Sequence, residues 1–186
     1  MDDEVSVRLG TAADARRHFD AICQLYDAAF SQPPFVWPDT ESQHHRELLT
    51  GMIGSPNFGI AVATDAADAL IGFVYGTTLS TTTGWWKGFQ QPVPAEVTTE
   101  WPARTFAVID LAVDAAARRH GIGRRLLDTL LGNRTEERAT LAVQPQADAS
   151  HAFYRALGGW HLIGRQDTPG MLSPEFDIYI RELDRP

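Results

Sequence analysis

The apolar positions of this chain switch between two periods, and the clearest switch lies within residues 106–131. Phe106-Ala-Val-Ile-Asp-Leu-Ala-Val113 is an apolar run too short for a buried helix and carries β-branched residues, which predicts a strand. Ile122, Leu126, Leu127, Leu130 and Leu131 then recur at helical spacing, with Gly132 as the stop. Between the two stands Arg118-Arg119-His120-Gly121-Ile122-Gly123, a turn whose glycines lack the Cβ that would hold a ligand away from the backbone.

The rest of the pattern follows in order. Residues 5–9 alternate as a first strand, and Thr11 or Asp14 caps a helix predicted to run through Phe30, with Phe19, Ile22, Cys23, Tyr26 and Phe30 on one side. Pro33, Pro34 and Pro38 turn residues 31–38 into a loop that carries Phe35 and Trp37. A second helix is predicted over 41–53, then a hairpin of strands 58–64 and 70–79 around a turn at 65–68. Residues 80–104 are irregular and hold Trp85, Trp86, Phe89 and Trp101; a long irregular loop in a compact domain is usually functional. Past the central strand and helix come a strand at 139–144, a helix at 148–157 ended by Gly158-Gly159, and strands at 160–165 and 176–183.

With 186 residues, 44% hydrophobic and 22% charged, the chain suffices for one well-cored domain, and no composition break divides 1–186. The net charge of -8 speaks against nucleic acid or an anionic membrane as a general partner and would draw in a cationic acceptor. Cys23 is the sole cysteine, which excludes an intrachain disulfide and a thiolate zinc site; its helical position reads as core packing. Met1-Asp-Asp-Glu4 lacks the basic and apolar regions of a signal peptide, and no apolar run reaches membrane-spanning length, so the expected location is cytoplasmic. His44 and His45 are adjacent on a predicted helix and point to different sides, which disfavours a shared metal. Metalloprotease and serine-hydrolase motifs are missing.

The glycine turn opens a helix, and a helix start offers unsatisfied N–H donors and the positive end of its dipole. With Arg118, Arg119, Arg124 and Arg125 beside it, a pyrophosphate is the natural ligand. The dinucleotide fingerprint would need a third glycine where Leu126 stands, and a P-loop would need Gly-Lys-Ser/Thr.

Arg118-x-x-Gly121-x-Gly123 resembles the (Gln/Arg)-x-x-Gly-x-(Gly/Ala) signature of the GNAT superfamily of N-acetyltransferases, and Phe153-Tyr154-x-x-x-Gly158-Gly159-Trp160 is similar to that family's (Leu/Phe)-Tyr-x-x-x-Gly-Phe element. Many relatives carry Asn and Ala where Ala147 and Ser150 stand here. The predicted order β-α-α-β-β-β-α-β-α-β-β matches the family along nearly the whole chain. The resemblance implies an α/β fold with a mixed, mostly antiparallel seven-stranded sheet flanked by about four helices. It also implies transfer of the acetyl group of acetyl-CoA directly to a primary amine of a small molecule within a ternary complex.

The resemblance further assigns roles. Gly121, Ile122, Gly123 and Arg124 would offer backbone donors to the pyrophosphate, with Arg118, Arg119 and His120 around it. Leu111 and Val113 would pair with the pantetheine arm, the N–H of Val113 donating to the thioester oxygen. Tyr154 would protonate the departing thiolate, the alternative being a core tyrosine. Asp110, a carboxylate inside an apolar strand, would be the general base if burial raises its pKa; strand alternation could instead turn it to solvent or to Arg104. Glu96 and Glu100 compete for that role. Phe35, Trp37, Trp85, Trp86 and Glu96 would border the acceptor, whose ammonium suits aromatic faces, against the alternative of tryptophans that pin a loop or make a dimer contact. Relatives are often homodimers, which leaves a homodimer open. Two further readings stay beside this one: acetylation of a protein N-terminus or lysine, and a non-catalytic acyl-CoA sensor or interaction module.

Overall fold

A computed structural model describes residues 5–184; residues 1–4, on which the signal-peptide reading rests, and 185–186 lie outside the described residues. The strands are β1 (Ser6–Gly10), β2 (Phe58–Thr64), β3 (Leu70–Thr78), β4 (Thr105–Val113), β5 (Arg138–Val143), β6 (His161–Asp167) and β7 (Glu175–Glu182). The described residues hold six α-helices: α1 (Ala12–Arg17), α2 (Phe19–Phe30), α3 (Glu41–Ile53), α4 (Ala95–Thr98), α5 (Ile122–Leu131) and α6 (Asp148–Leu157). Strand order is β1-β2-β3-β4-β5-β7-β6. This is the expected mixed, mostly antiparallel seven-stranded α/β fold, with two more helices than the expected four.

Both extra helices have local causes. The helix expected to run to Phe30 is two: Thr11 caps α1 in a reciprocal capping box with Asp14, and the chain breaks at His18, whose ψ of 12° is not helical, before α2 starts. The other, α4, is a single turn inside the irregular 80–104 segment.

The described residues form two compact units. The first comprises the described part of Met1–Gln32 with Trp37–Thr77 and Val108–Arg134. In it β1, β2 and β3 pair antiparallel, and the turn between β2 and β3 is fixed by Asp65, whose Oδ1 accepts from the N–H groups of Ala67 and Ala69 at 2.9 Å each. The core packs Ile22, Cys23, Tyr26, Leu49, Ile60, Val62, Phe73, Tyr75 and Ala112 together, and Cys23 is buried there as expected. Helix α5 buries Ile122, Leu126, Leu127, Leu130 and Leu131 on one side; each contributes roughly 1.5–3 kcal/mol of hydrophobic stabilisation. Gly72 lets α5 approach, since a Cβ there would stand 3.1 Å from Leu126 Cδ1 and 3.3 Å from the carbonyl of Ala112.

The second unit comprises Pro33–Val36, Thr78–Ala107 and the described part of Thr135–Pro186. The parallel ladder of β4 with β5 engages Thr105, Phe106 and Ala107, and β5 and β6 each pair antiparallel with β7. Inside this unit the Glu100 carboxylate is buried and ion-paired to Arg138 at 3.0 Å. Its Oε1 also accepts from Trp86 Nε1 at 2.9 Å and Thr105 Oγ1 at 2.7 Å, while the Arg138 guanidinium lies 5.1 Å from the Trp86 ring centroid. Glu100 is thus a structural anchor and not the base considered from the sequence.

A buried ion pair that loses one partner leaves an uncompensated charge, at a cost of about 3–5 kcal/mol. Glu100→Ala should lower stability by that amount in urea unfolding. Glu96→Ala, at an exposed position, should stay within about 0.5 kcal/mol of the wild type.

Candidate active site

Strand β4 ends at Val113, and Asp114 caps a 3-10 turn over Ala115–Ala117 by accepting from the Ala116 N–H at 2.9 Å. Arg118 folds back so that its Nε donates to the Val113 carbonyl at 3.0 Å. Arg119 and Gly121 then both take left-handed backbone conformations, φ 70° and 74°. At Gly121 the left-handed angle favours glycine, and a Cβ there would meet nothing within 4 Å, so the space above the turn is open.

Gly121 is the N-cap of α5, makes no side-chain cap hydrogen bond, and the first turn holds no acidic residue. A helix start of this kind, with Arg118, Arg119 and Arg124 exposed beside it, fits an anion and not a cation. Arg125 is spent otherwise, donating through NH2 to the Val5 carbonyl at 3.0 Å. His120 Nδ1 lies 3.4 Å from the Ala117 carbonyl, within the turn. Leu111 and Val113 are half-buried, and Ala112 between them enters the core, so the strand alternates as the sequence implied.

Asp110 shares its strand face with Ala112 and turns neither to solvent nor to Arg104. Its side chain is 15% exposed, and its Oδ2 accepts a short hydrogen bond from the Tyr75 hydroxyl. His45 Nε2 lies 3.0 Å from that hydroxyl and 3.6 Å from Asp110 Oδ2. The His45 ring stacks on Tyr26 with centroids 3.6 Å apart, and the Tyr26 hydroxyl donates to Glu41 Oε1 at 2.7 Å. Burial pushes the Asp110 carboxyl up to about 7, the Tyr75 hydrogen bond opposing the rise and the Glu41 charge adding to it. Burial, with the nearby Arg46 and His44 charges, pushes His45 down to about 4, so it is neutral. Tyr75 and Tyr26 are raised, chiefly by burial and then by the Asp110 charge.

None of Tyr75, His45, Tyr26 or Glu41 was singled out from the sequence as a site residue. A signal did exist for two of them: Glu41, His45, Leu49 and Ile53 form the buried i, i+4 row of α3, and its first two members are polar. His44 and His45 do point apart, His45 being buried and His44 exposed.

The second unit holds the remaining candidates. Tyr154, 8% exposed on α6, sits among aromatic rings: Phe153 at 5.1 Å, Trp160 at 5.7 Å and Tyr179 at 6.4 Å between centroids. Trp86 is buried against Glu100 and Arg138, which is the loop-pinning role, and it offers little surface to an acceptor. Trp85 donates from Nε1 to Thr140 Oγ1 at 3.1 Å, and its carbonyl accepts from Gln166. Glu96 is exposed, its backbone carbonyl held by Arg104, and Trp101 donates to Glu137 beneath the Arg104 guanidinium. Phe35 is half-buried in the loop whose Val36 N–H donates to Gln144 Oε1 at 2.9 Å. Trp37, in the first unit, packs 5.7 Å from the Tyr26 ring. No helix of the described residues is long and apolar enough to cross a membrane.

The family model of the "Acetyltransferase (GNAT) family" matches residues 19–159. Among solved structures, the chain is similar to a phosphinothricin acetyltransferase from Sinorhizobium meliloti in complex with acetyl-CoA, at 21% identity and TM-score 0.59, over 96% of this chain and 88% of that one. It is also similar to the ribosomal-protein-S18-alanine N-acetyltransferase of Escherichia coli, at 15% identity and TM-score 0.64, over 98% and 96%. A third likeness is to a putative acetyltransferase of Salmonella typhimurium with acetyl-CoA, at 15% identity and TM-score 0.62, over 98% and 96%. No curated protein matches.

The titrations of Asp110 and His45 have opposite effects on stability. His45, depressed from 6.5 to about 4, binds its proton more readily unfolded; its contribution is complete above pH 6.5 and is lost as pH falls toward 4. Asp110, raised from 3.8 to about 7, binds its proton more readily folded; its contribution is complete below pH 3.8 and is lost as pH rises toward 7. Asp110→Asn removes the second slope and leaves the first. Urea unfolding of that variant should lose on the order of 3 kcal/mol more than the wild type between pH 7 and pH 4, and equal slopes would show that Asp110 does not titrate there.

Proposed function

This chain belongs to the acetyltransferase (GNAT) family, and we propose that it is a cytoplasmic enzyme that moves the acetyl group of acetyl-CoA to a primary amine of a small molecule, by direct attack in a ternary complex within a single catalytic domain. The observation that carries the proposal is the start of α5: a left-handed Gly121, no capping side chain, no acidic residue in the first turn, and exposed arginines beside it. This cradle suits the pyrophosphate of coenzyme A, with Gly121, Ile122, Gly123 and Arg124 donating from the backbone and Arg118, Arg119 and His120 at its edge. The ladder of β4 with β5 engages residues 105–107, so the segment bearing Leu111 and Val113 lies outside that ladder; this supports their pairing with the pantetheine arm. Acetyl-CoA supplies the activated acyl group.

Asp110 is the base of this scheme. A carboxyl poised near 7 and partly open to solvent accepts a proton from the acceptor's ammonium at physiological pH and leaves the free amine to attack. Tyr154 is the acid that returns a proton to the departing thiolate, a role that rests on its place in the Phe153-Tyr154 motif. The acceptor side draws on Phe35, Trp37, Trp85 and Glu96, and the net charge of -8 favours a cationic acceptor. One structural neighbour acetylates an alanine of a ribosomal protein, which keeps a protein N-terminus as the second reading. Intact-mass analysis of candidate proteins after incubation separates the two.

Calorimetric titration with acetyl-CoA tests the cofactor site before any acceptor is known. Binding near one per chain is expected, weakened at least tenfold in Gly123→Asp, whose carboxylate repels the pyrophosphate. Equal affinity in the two proteins, or no binding by folded wild type, would overturn the assignment. With an acceptor in hand, Tyr154→Phe should lower kcat by about 10²–10⁴ with acetyl-CoA affinity unchanged, read by thiol release.

A further inference from the structure

Three polar side chains from three elements of the first unit converge on one point: Asp110 from β4, Tyr75 from β3 and His45 from α3. Their protons can be assigned by elimination. An ionised carboxylate only accepts, and the phenol has a single proton, so Tyr75 Oη donates to Asp110 Oδ2. The phenol oxygen at 3.0 Å from His45 Nε2 then acts as acceptor, which requires the Nε2–H tautomer. In that tautomer Nδ1 carries a lone pair, and Nδ1 is buried with no hydrogen-bond partner among the described residues. A second proton there would create a buried N–H with no acceptor, a costly state, so the imidazole is held as a neutral donor.

We propose that His45 and Tyr75 are positioning residues that form a one-way hydrogen-bond relay, His45 Nε2–H to Tyr75 Oη–H to Asp110 Oδ2, and thereby set the basicity with which Asp110 takes the acceptor's proton. The proposal rests on the reading of Asp110 as base. The carboxylate gains one proton from the ammonium and becomes a carboxylic acid; the two donors keep their protons, and the acid discharges to solvent at its exposed edge. Glu41 from α3 and the Tyr26 hydroxyl bonded to it are the other titratable groups that act with Asp110, while His44 and Arg46 act on His45. Burial and the Glu41 charge favour the neutral acid, and the relay is what opposes them. Without it the carboxyl would hold its proton to higher pH, and a smaller share would be available as base at neutrality.

The test has two arms. In the resting protein, ¹⁵N NMR of the wild-type imidazole should show His45 neutral with its proton on Nε2 down to about pH 5, a reading that needs no variant. Carboxyl ¹³C titration should place Asp110 higher in Tyr75→Phe than in wild type by about one unit or more, and higher in His45→Leu by less, with His45→Gln, which restores a donor, returning toward wild type. In turnover, the acidic limb of kcat/KM should move up in Tyr75→Phe so that activity at pH 6 falls about tenfold while the alkaline plateau is kept. A proton on Nδ1, or an Asp110 titration unmoved by Tyr75→Phe, would overturn the relay. An acidic limb that persists in Asp110→Asn would instead remove the base reading, and the carboxyl titration would still decide the relay.

Discussion

The constraint on which this structure turns is the exit of β4. A strand that ends in the sheet must hand its chain to a helix without burying unpaired backbone groups, and here the handover takes eight residues. Arg118 closes it by bonding the Val113 carbonyl, and Gly121 supplies the left-handed step that turns the chain into α5. The apolar side of α5 then fixes the helix within the first unit, with Gly72 letting Leu126 come close. Because the apolar packing is complete on that side, the helix start carries no side-chain cap and its exposed N–H groups can serve an anion.

Two of the carboxylates withdrawn from solvent, Glu100 and Asp110, are matched in different ways, and the difference separates structure from chemistry. Glu100 is matched by a full positive charge, Arg138, and by two further donors, so its role is to anchor the unit. Asp110 is matched by neutral donors alone, a phenol backed by an imidazole. A charge partner would have held its pKa low; neutral donors leave burial to win in part, and the carboxyl lands near neutrality. The same reasoning explains why Tyr26 stacks on His45: a flat apolar contact keeps the ring fixed without offering Nδ1 an acceptor.

Aromatic residues divide along the same line. Trp86 and Trp101 are tied down through their indole nitrogens to Glu100 and Glu137, and the 80–104 segment is further stitched to β6 by the Phe89 and Gln166 bridge. This irregular stretch is therefore a built part of the second unit, and its tryptophans are first of all what orders it. Trp85 keeps more of its surface, although its indole is anchored to Thr140.

The sequence by itself determined most of the elements and the place of the glycine turn. Apolar periods of two and 3.6 residues fixed α3, β2 and α6 to the residue, and Gly121 could be recognised because a left-handed helix start is a local demand that only local residues meet. It missed the break at His18, which has no side-chain cap bond to mark it and stands before an apolar row that continues the helical spacing. It singled out Asp110 as an acidic residue in an apolar strand, but not what faces it. That pairing joins positions 45, 75 and 110, far apart in the chain, and no periodicity reports which side chains from different elements meet. Only the packing of α3 on β3 and β4 decided that the carboxylate would face a tyrosine and a neutral histidine and not water or an arginine, and with that decision came its pKa and the chemistry it can perform.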